Sequence, residues 1–225
     1  MKQLWIGKRK GNGTLILFFN GWGQDARAVE RLRAEGADVL MLYAYHDGQP
    51  FDGSVLRDYA AVDVAAWSMG VWAAARTVDV REWKIRRAVA LCGTERPIDD
   101  RRGIPRGVFE ATLSSLTPRS LEKFAMRMAG GVAAYRQSPL AAGGSRSFDD
   151  VRAELQWWRD TEAALSDASG NGVLWQKALV GMNDGIFPAQ NQLYAWEQAG
   201  VRTVQRDCAH YPFAGMERWD EAFDF

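Results

Sequence analysis

Cysteine and histidine are scarce in this chain, with two of each among 225 residues. Cys92 and Cys208 are too few for a disulfide framework. Near strand ends they read as buried free thiols. His46 and His210 leave little material for a metal site, and no metal or cofactor is expected. Neither sign of charge is in excess, because 28 basic residues balance 28 acidic ones. A global field of the kind that attracts nucleic acid is therefore absent. No apolar run approaches the ~18–20 residues that cross a bilayer, so no membrane contact is expected. The opening Met1-Lys2-Gln3-Leu4-Trp5-Ile6 is interrupted by Lys8-Arg9-Lys10 too early for a secretory signal. Repeats, low-complexity tracts and a clear interdomain linker are missing too. What remains is a soluble cytoplasmic protein with one compact core, burying roughly 70% of its unfolded surface.

Apolar runs alternate with helical spacing through the first half. Runs at residues 14–19, 38–45, 61–67 and 87–93 read as buried strands, and residues 26–34 and 69–77 as helices between them. That alternation predicts an α/β fold, a mostly parallel sheet with helices on both faces. From about Pro97 it stops. Residues 105–168 carry helical spacing broken by Gly130-Gly131 and Gly143-Gly144, and strands resume at 177–181 and 201–205 around a helix at 189–199. The expected organisation is a core of residues 1–96 and 169–225 with a helical cap, 97–168, inserted over the carboxyl ends of the strands. Open α/β sheets place their ligand at that edge.

Ala66-Trp67-Ser68-Met69-Gly70 joins a strand to a helix, the setting of a nucleophile elbow. Small residues flank the serine because the tight turn brings neighbouring backbone close. Ser68 needs a base, and only two histidines exist. His210 follows the last strand, in the chain order of hydrolase triads, whereas His46 precedes the serine and reads as structural. Asp184, at the end of the strand before, is the expected acid. Asp207 stands three residues from His210 on the same loop and reads as a turn residue. Two backbone N–H groups should stabilise a developing oxyanion. Met69, after the nucleophile, supplies one, and Trp22, in the loop Asn20-Gly21-Trp22-Gly23, supplies the other.

Other motifs read as structure. Gly7 to Gly13 lacks the Gly-Lys-Ser/Thr of a phosphate loop and is expected to be a hairpin turn. Trp157-Trp158 reads as cap packing.

Phe18-Phe-Asn-Gly-Trp-Gly23, Ala66-Trp-Ser-Met-Gly-Val-Trp72, Asp184-Gly-Ile-Phe-Pro-Ala-Gln-Asn-Gln192 and the His210 loop together resemble BioG-type pimeloyl-[acyl-carrier-protein] methyl ester esterases. Pro97 to Pro105, with the helix after it, is similar as well. The resemblance implies an α/β-hydrolase fold and hydrolysis of the methyl ester of a pimeloyl chain on acyl-carrier protein, in biotin biosynthesis. It gives Ser68 as nucleophile, His210 as base, Asp184 as acid, and Trp22 and Met69 as oxyanion donors. A generic carboxylesterase or thioesterase on the same fold, and a non-catalytic relative that binds acyl chains or a partner, are the alternatives. Between Arg101 and Arg146, eight basic residues face two acidic ones. Arg119, Lys123 and Arg127 recur every four residues along one side of a helix, with Leu121, Phe124, Ala125 and Met128 on the other. That stripe is the expected docking surface for the acidic carrier protein.

Overall fold

The computed structural model describes residues 1–165 and 175–225. Its seven strands are β1 (Lys2–Gly7), β2 (Thr14–Phe19), β3 (Ala37–Tyr43), β4 (Ala61–Trp67), β5 (Ile85–Leu91), β6 (Lys177–Gly181) and β7 (Thr203–Arg206). They form one sheet in the order β1-β3-β2-β4-β5-β6-β7. Only β1 runs antiparallel, against β3, and all other pairings are parallel. In β2, Leu15, Ile16, Leu17, Phe18 and Phe19 are all buried, as strands covered on both faces must be. β1 is an edge strand with exposed positions.

Two local expectations are corrected. Gly7 to Gly13 is not a hairpin turn, because β1 pairs with β3 and not with β2. The segment passes the start of β3, where buried Asp38 accepts from the Arg9 amide at 2.8 Å and the Asn12 side chain at 2.7 Å. Residues 26–34 hold only a 3-10 turn, Ala26–Ala28. Beyond it the backbone pairs with the C-terminal segment instead: the Arg33 amide donates to the Glu217 carbonyl and the Trp219 amide to the Arg33 carbonyl.

Helix α1 (Gly70–Thr77) follows β4, and among the described residues four α-helices stand between β5 and β6: α2 (Arg106–Ser114), α3 (Pro118–Ala129), α4 (Val132–Gln137) and α5 (Phe148–Leu165). α6 (Ala189–Gln198) joins β6 to β7. The glycine pairs expected to break the helical block lie at its joints, where Gly130 takes a φ of 92° after α3. Thr117 caps α3, accepting from the Ser120 amide while the Ser120 hydroxyl accepts from its own, with Pro118 preset in the first turn. The expected end of the cap, at residue 168, lies outside the described residues. Trp158 is fully buried, its ring edge-on to Trp72 of α1 at 5.0 Å and to Tyr45 at 5.4 Å. The pair Trp157-Trp158 therefore packs the helical block against the core. Among the described residues no helix is long and apolar enough to cross a membrane.

Candidate active site

Because β2 to β7 run parallel, they deliver their exits to one edge. Gly21 and Trp22 follow β2, Ser68 follows β4, Asp184 follows β6 and His210 follows β7. Ser68 sits at the tip of the β4–α1 turn with a φ of 60°, left-handed backbone that a residue with a Cβ rarely adopts. The neighbours show what holds it there. A Cβ on Gly70 would lie 2.3 Å from the Phe19 carbonyl oxygen, and one on Gly93 would lie 2.3 Å from that of Ser68. Both positions must be glycine for the backbones to approach. The Ser68 amide donates to the Leu91 carbonyl at 3.0 Å, tying the turn to β5.

Ser68, His210 and Asp184 are brought together. The Ser68 hydroxyl lies 2.9 Å from His210 Nε2, and His210 Nδ1 lies 2.8 Å from Asp184 Oδ2. A carboxylate only accepts, so Nδ1 carries the proton, and Nε2 presents its lone pair to the serine. The His210 and Asp184 side chains are buried, and Ser68 is 5% exposed.

Several residues that the sequence did not single out hold this chain. Asp184 Oδ1 accepts from the amides of Ile186 and Phe187, both at 2.8 Å, and Oδ2 accepts from the Gln192 side chain at 3.0 Å. The carboxylate is thus saturated and fixed in one orientation. Phe187 stacks parallel to the imidazole at 5.7 Å. The Trp67 indole N–H donates to the His210 carbonyl at 2.8 Å, so the residue before Ser68 also anchors the histidine's backbone. Gln192 lies eight residues along the chain from Asp184, at the far end of the motif that carries the family resemblance.

The rival residues stand elsewhere. Asp207 is exposed and accepts from the Asn183 side chain. His46 follows β3 and pairs through Nε2 with Asp150 Oδ1 at 3.1 Å. Cys92, buried at the end of β5, and half-buried Cys208 are free thiols, and burial pushes the Cys92 thiol well up.

Trp22 and Met69 border Ser68. A Cβ on Gly21 would touch Ser68 Cβ at 3.2 Å, which brings the β2 loop onto Ser68. Among the described residues, neither the Trp22 nor the Met69 amide donates to a protein acceptor. Ser68, Trp22 and Met69 open into one cavity whose other walls are mostly apolar, including Ile104, Phe109, Phe124, Met128, Leu155 and Ile186. Arg119, Lys123 and Arg127 are exposed on α3, while Phe124 and Met128 point inward and are buried. Arg127 lines both this cavity and an adjoining groove between α2 and α3.

Comparison with known proteins bears on nearly the whole chain. A family model described as pimeloyl-ACP methyl esterase BioG matches residues 1–222. A malonyl-[acyl-carrier protein] O-methyltransferase of Bacteroides fragilis (strain 638R) is 35% identical over 196 residues, 87% of this chain and 39% of that protein. The chain thus spans about two fifths of the length of that relative. The crystal structure of BioG from Haemophilus influenzae aligns with a TM-score of 0.88 at 32% identity, covering 100% of each chain. A lipase-esterase related protein of Clostridium acetobutylicum ATCC 824 aligns with a TM-score of 0.61 at 13% identity, over 95% of this chain and 93% of its own. That last likeness concerns fold alone, and the fold is the α/β-hydrolase sheet expected from the sequence.

Proposed function

The chain belongs to the BioG family of pimeloyl-ACP methyl esterases, and on that premise we propose that it is a serine esterase. Its substrate is the methyl ester on the distal carboxylate of a pimeloyl chain held by acyl-carrier protein, and its product serves biotin synthesis. The observation that carries this reading is the hydrogen-bonded chain Ser68–His210–Asp184 opening into an apolar cavity.

Ser68 Oγ attacks the ester carbonyl as His210 Nε2 takes its proton. The carbonyl oxygen becomes an oxyanion and accepts from the Trp22 and Met69 amides, which are fixed before the charge develops. The imidazolium then gives its proton to the departing methoxide, and methanol leaves an acyl-enzyme on Ser68. Water, deprotonated by His210, attacks that ester; the second oxyanion collapses, and Ser68 recovers its proton as the free carboxylic acid departs. Asp184 keeps the proton on Nδ1 and stabilises the imidazolium, staying ionised throughout.

Asp184→Asn offers an amide N–H₂ where Nδ1–H needs an acceptor, or turns its oxygen there and loses the bonds from the Ile186 and Phe187 amides. Ester turnover is expected to fall by up to about 10⁴, with Asp207→Asn within a few-fold of the parent. Initial rates on p-nitrophenyl acetate measure both; a crippled Asp207→Asn beside an active Asp184→Asn would reverse the assignment.

We assign α2–α5 the part of a cap and α3 the docking of the carrier. The support is the position of Arg127, which borders the Ser68 cavity and the groove beside it, with Arg119 and Lys123 exposed on the same helix. An acidic partner seated there can pass its acyl arm along the groove to Ser68. Such charges mainly steer encounter and are screened over a Debye length of about 8 Å at physiological ionic strength. Arg119→Glu/Lys123→Glu/Arg127→Glu is expected to slow hydrolysis of the carrier-bound ester at least tenfold and to spare p-nitrophenyl acetate. Added salt should slow the parent on the carrier substrate alone. Equal losses on both esters indicate a disrupted cap, and no loss on either leaves α3 a solvated face.

The whole reading is tested by complementation of a biotin auxotroph lacking its own methyl ester esterase, alongside methanol release from the carrier-bound ester. Ready hydrolysis of small esters without either result would favour a generic carboxylesterase.

A further inference from the structure

We infer that Glu154 of α5 is a positioning residue for the oxyanion donor Trp22, an inference that rests on the esterase reading above. Glu154 lies 131 residues from the loop it holds, and its side chain is fully buried. Three N–H donors converge on its two oxygens. Oε2 accepts from the Gly23 amide at 3.0 Å and from Arg146 at 2.6 Å, and Oε1 accepts from the Tyr45 amide at 3.1 Å. One turn earlier on the same helix, the Val151 carbonyl accepts from the Trp22 indole N–H at 2.9 Å. Val151 also fills the space beside Gly23, 3.1 Å from where a Cβ would stand.

These contacts bracket one peptide unit. On its far side the Gly21 amide is held by the Asn20 side chain at 2.9 Å. The Gly23 amide is held by Glu154 and the Trp22 ring by Val151. The Trp22 amide between them, which meets no protein acceptor among the described residues, is left aimed by its neighbours. Preorganised donors stabilise charge as it develops without reorganising at that moment, so the rigidity of this loop bears on the rate.

Burying a carboxylate is costly unless it is paired, and a buried pair is weak evidence for a role in stability. Arg146, 4% exposed, neutralises Glu154 and reaches Asp150 at 2.6 Å, and Asp150 in turn meets His46. Burial alone would pull the Arg146 guanidinium down, but Glu154 and Asp150 hold it above its ordinary value. An apolar pair could fill the same space. What it could not do is accept from the Gly23 and Tyr45 amides, which the two oxygens of the Glu154 carboxylate do together. The same network gives His46 a place on the outer end of the clamp, away from Ser68.

The test uses Glu154→Gln, which has one accepting oxygen and turns an N–H₂ toward a donor. Its partner variant, Glu154→Gln/Arg146→Met, removes the buried guanidinium that the single change leaves paired with Asp150 alone among the described residues. Kinetics on p-nitrophenyl acetate are scaled to active sites, counted at the endpoint of fluorophosphonate labelling. Expected in both variants are a kcat per site at least tenfold lower, a KM within twofold of the parent, and a parallel weakening of a trifluoromethyl ketone that forms a tetrahedral adduct on Ser68. A merely structural residue would lower Tm and the count of sites while leaving kcat per site and ketone affinity at parental values, and that result overturns the inference. Ser68→Ala, run beside them, separates the two levels: hydrolysis that survives it removes the esterase reading itself.

Discussion

Ser68→Ala is expected to remove ester hydrolysis while the protein stays folded. The members of a triad act as a unit, and losing the nucleophile costs on the order of 10⁴–10⁶ in turnover. The alanine still occupies a φ of 60°, so backbone strain is carried over from the parent and not added. The hydroxyl's one described partner is His210 Nε2, and Ser68 itself lines the cavity, so its loss removes one hydrogen bond and opens no closed void. Thermal unfolding should therefore shift by no more than a few degrees, and fluorophosphonate labelling should vanish. Hydrolysis within tenfold of the parent would take Ser68 out of the mechanism, and labelling elsewhere would identify another nucleophile.

His210→Ala should cost a similar factor, because no other group stands where it can receive the Ser68 proton. The hydroxyl of a serine is too weak an acid to be ionised without a base at hydrogen-bond distance. Asp184 is one imidazole away, and its oxygens are saturated by Gln192 and two amides. His46→Ala should leave turnover within a few-fold, since the His46 ring meets Asp150 and not Ser68. Because His210 is buried against Trp67 and Phe187, truncation leaves a void, so the folded fraction must be established by circular dichroism before rates are compared. Addition of imidazole should restore part of the activity if the void admits it near Ser68. A crippled His46→Ala beside an active His210→Ala would overturn both the mechanism and the order of elements that led to it.

The sequence made the site legible where chemistry and chain order coincide. Ser68 lies between a continuous apolar run and a helix, and His210 and Asp184 lie just beyond two others, so their element ends could be read from hydrophobicity alone. Glu154 had no such mark. A glutamate in the middle of a helix looks like solvated surface until the loop it serves arrives from 131 residues away. β1 was silent for a related reason: an edge strand with Lys2, Gln3 and Leu4 exposed has too little buried surface to show a pattern. At residues 26–34 the spacing of buried Ala28, Val29 and Leu32 imitated a helix. Pairing of Arg33 with the C-terminal segment decided otherwise, and no local propensity encodes that partner.

The distribution of the site along the chain sets the order in which it can come into being. Trp22 and Ser68 precede helices α2 to α5, whereas Asp184 and His210 follow them, and the bond from serine to histidine closes a separation of 142 residues. Contacts of such range form late, after the intervening loop entropy has been overcome. During synthesis β2, β3, β4 and β5 can pair before β6 and β7 emerge, so the turn that carries Ser68 can form ahead of its proposed base. Until the last strand docks, the nascent polypeptide carries a shaped pocket and an inert hydroxyl. The proposed hydrolytic competence therefore waits on the pairing of β6 with β5 and of β7 with β6.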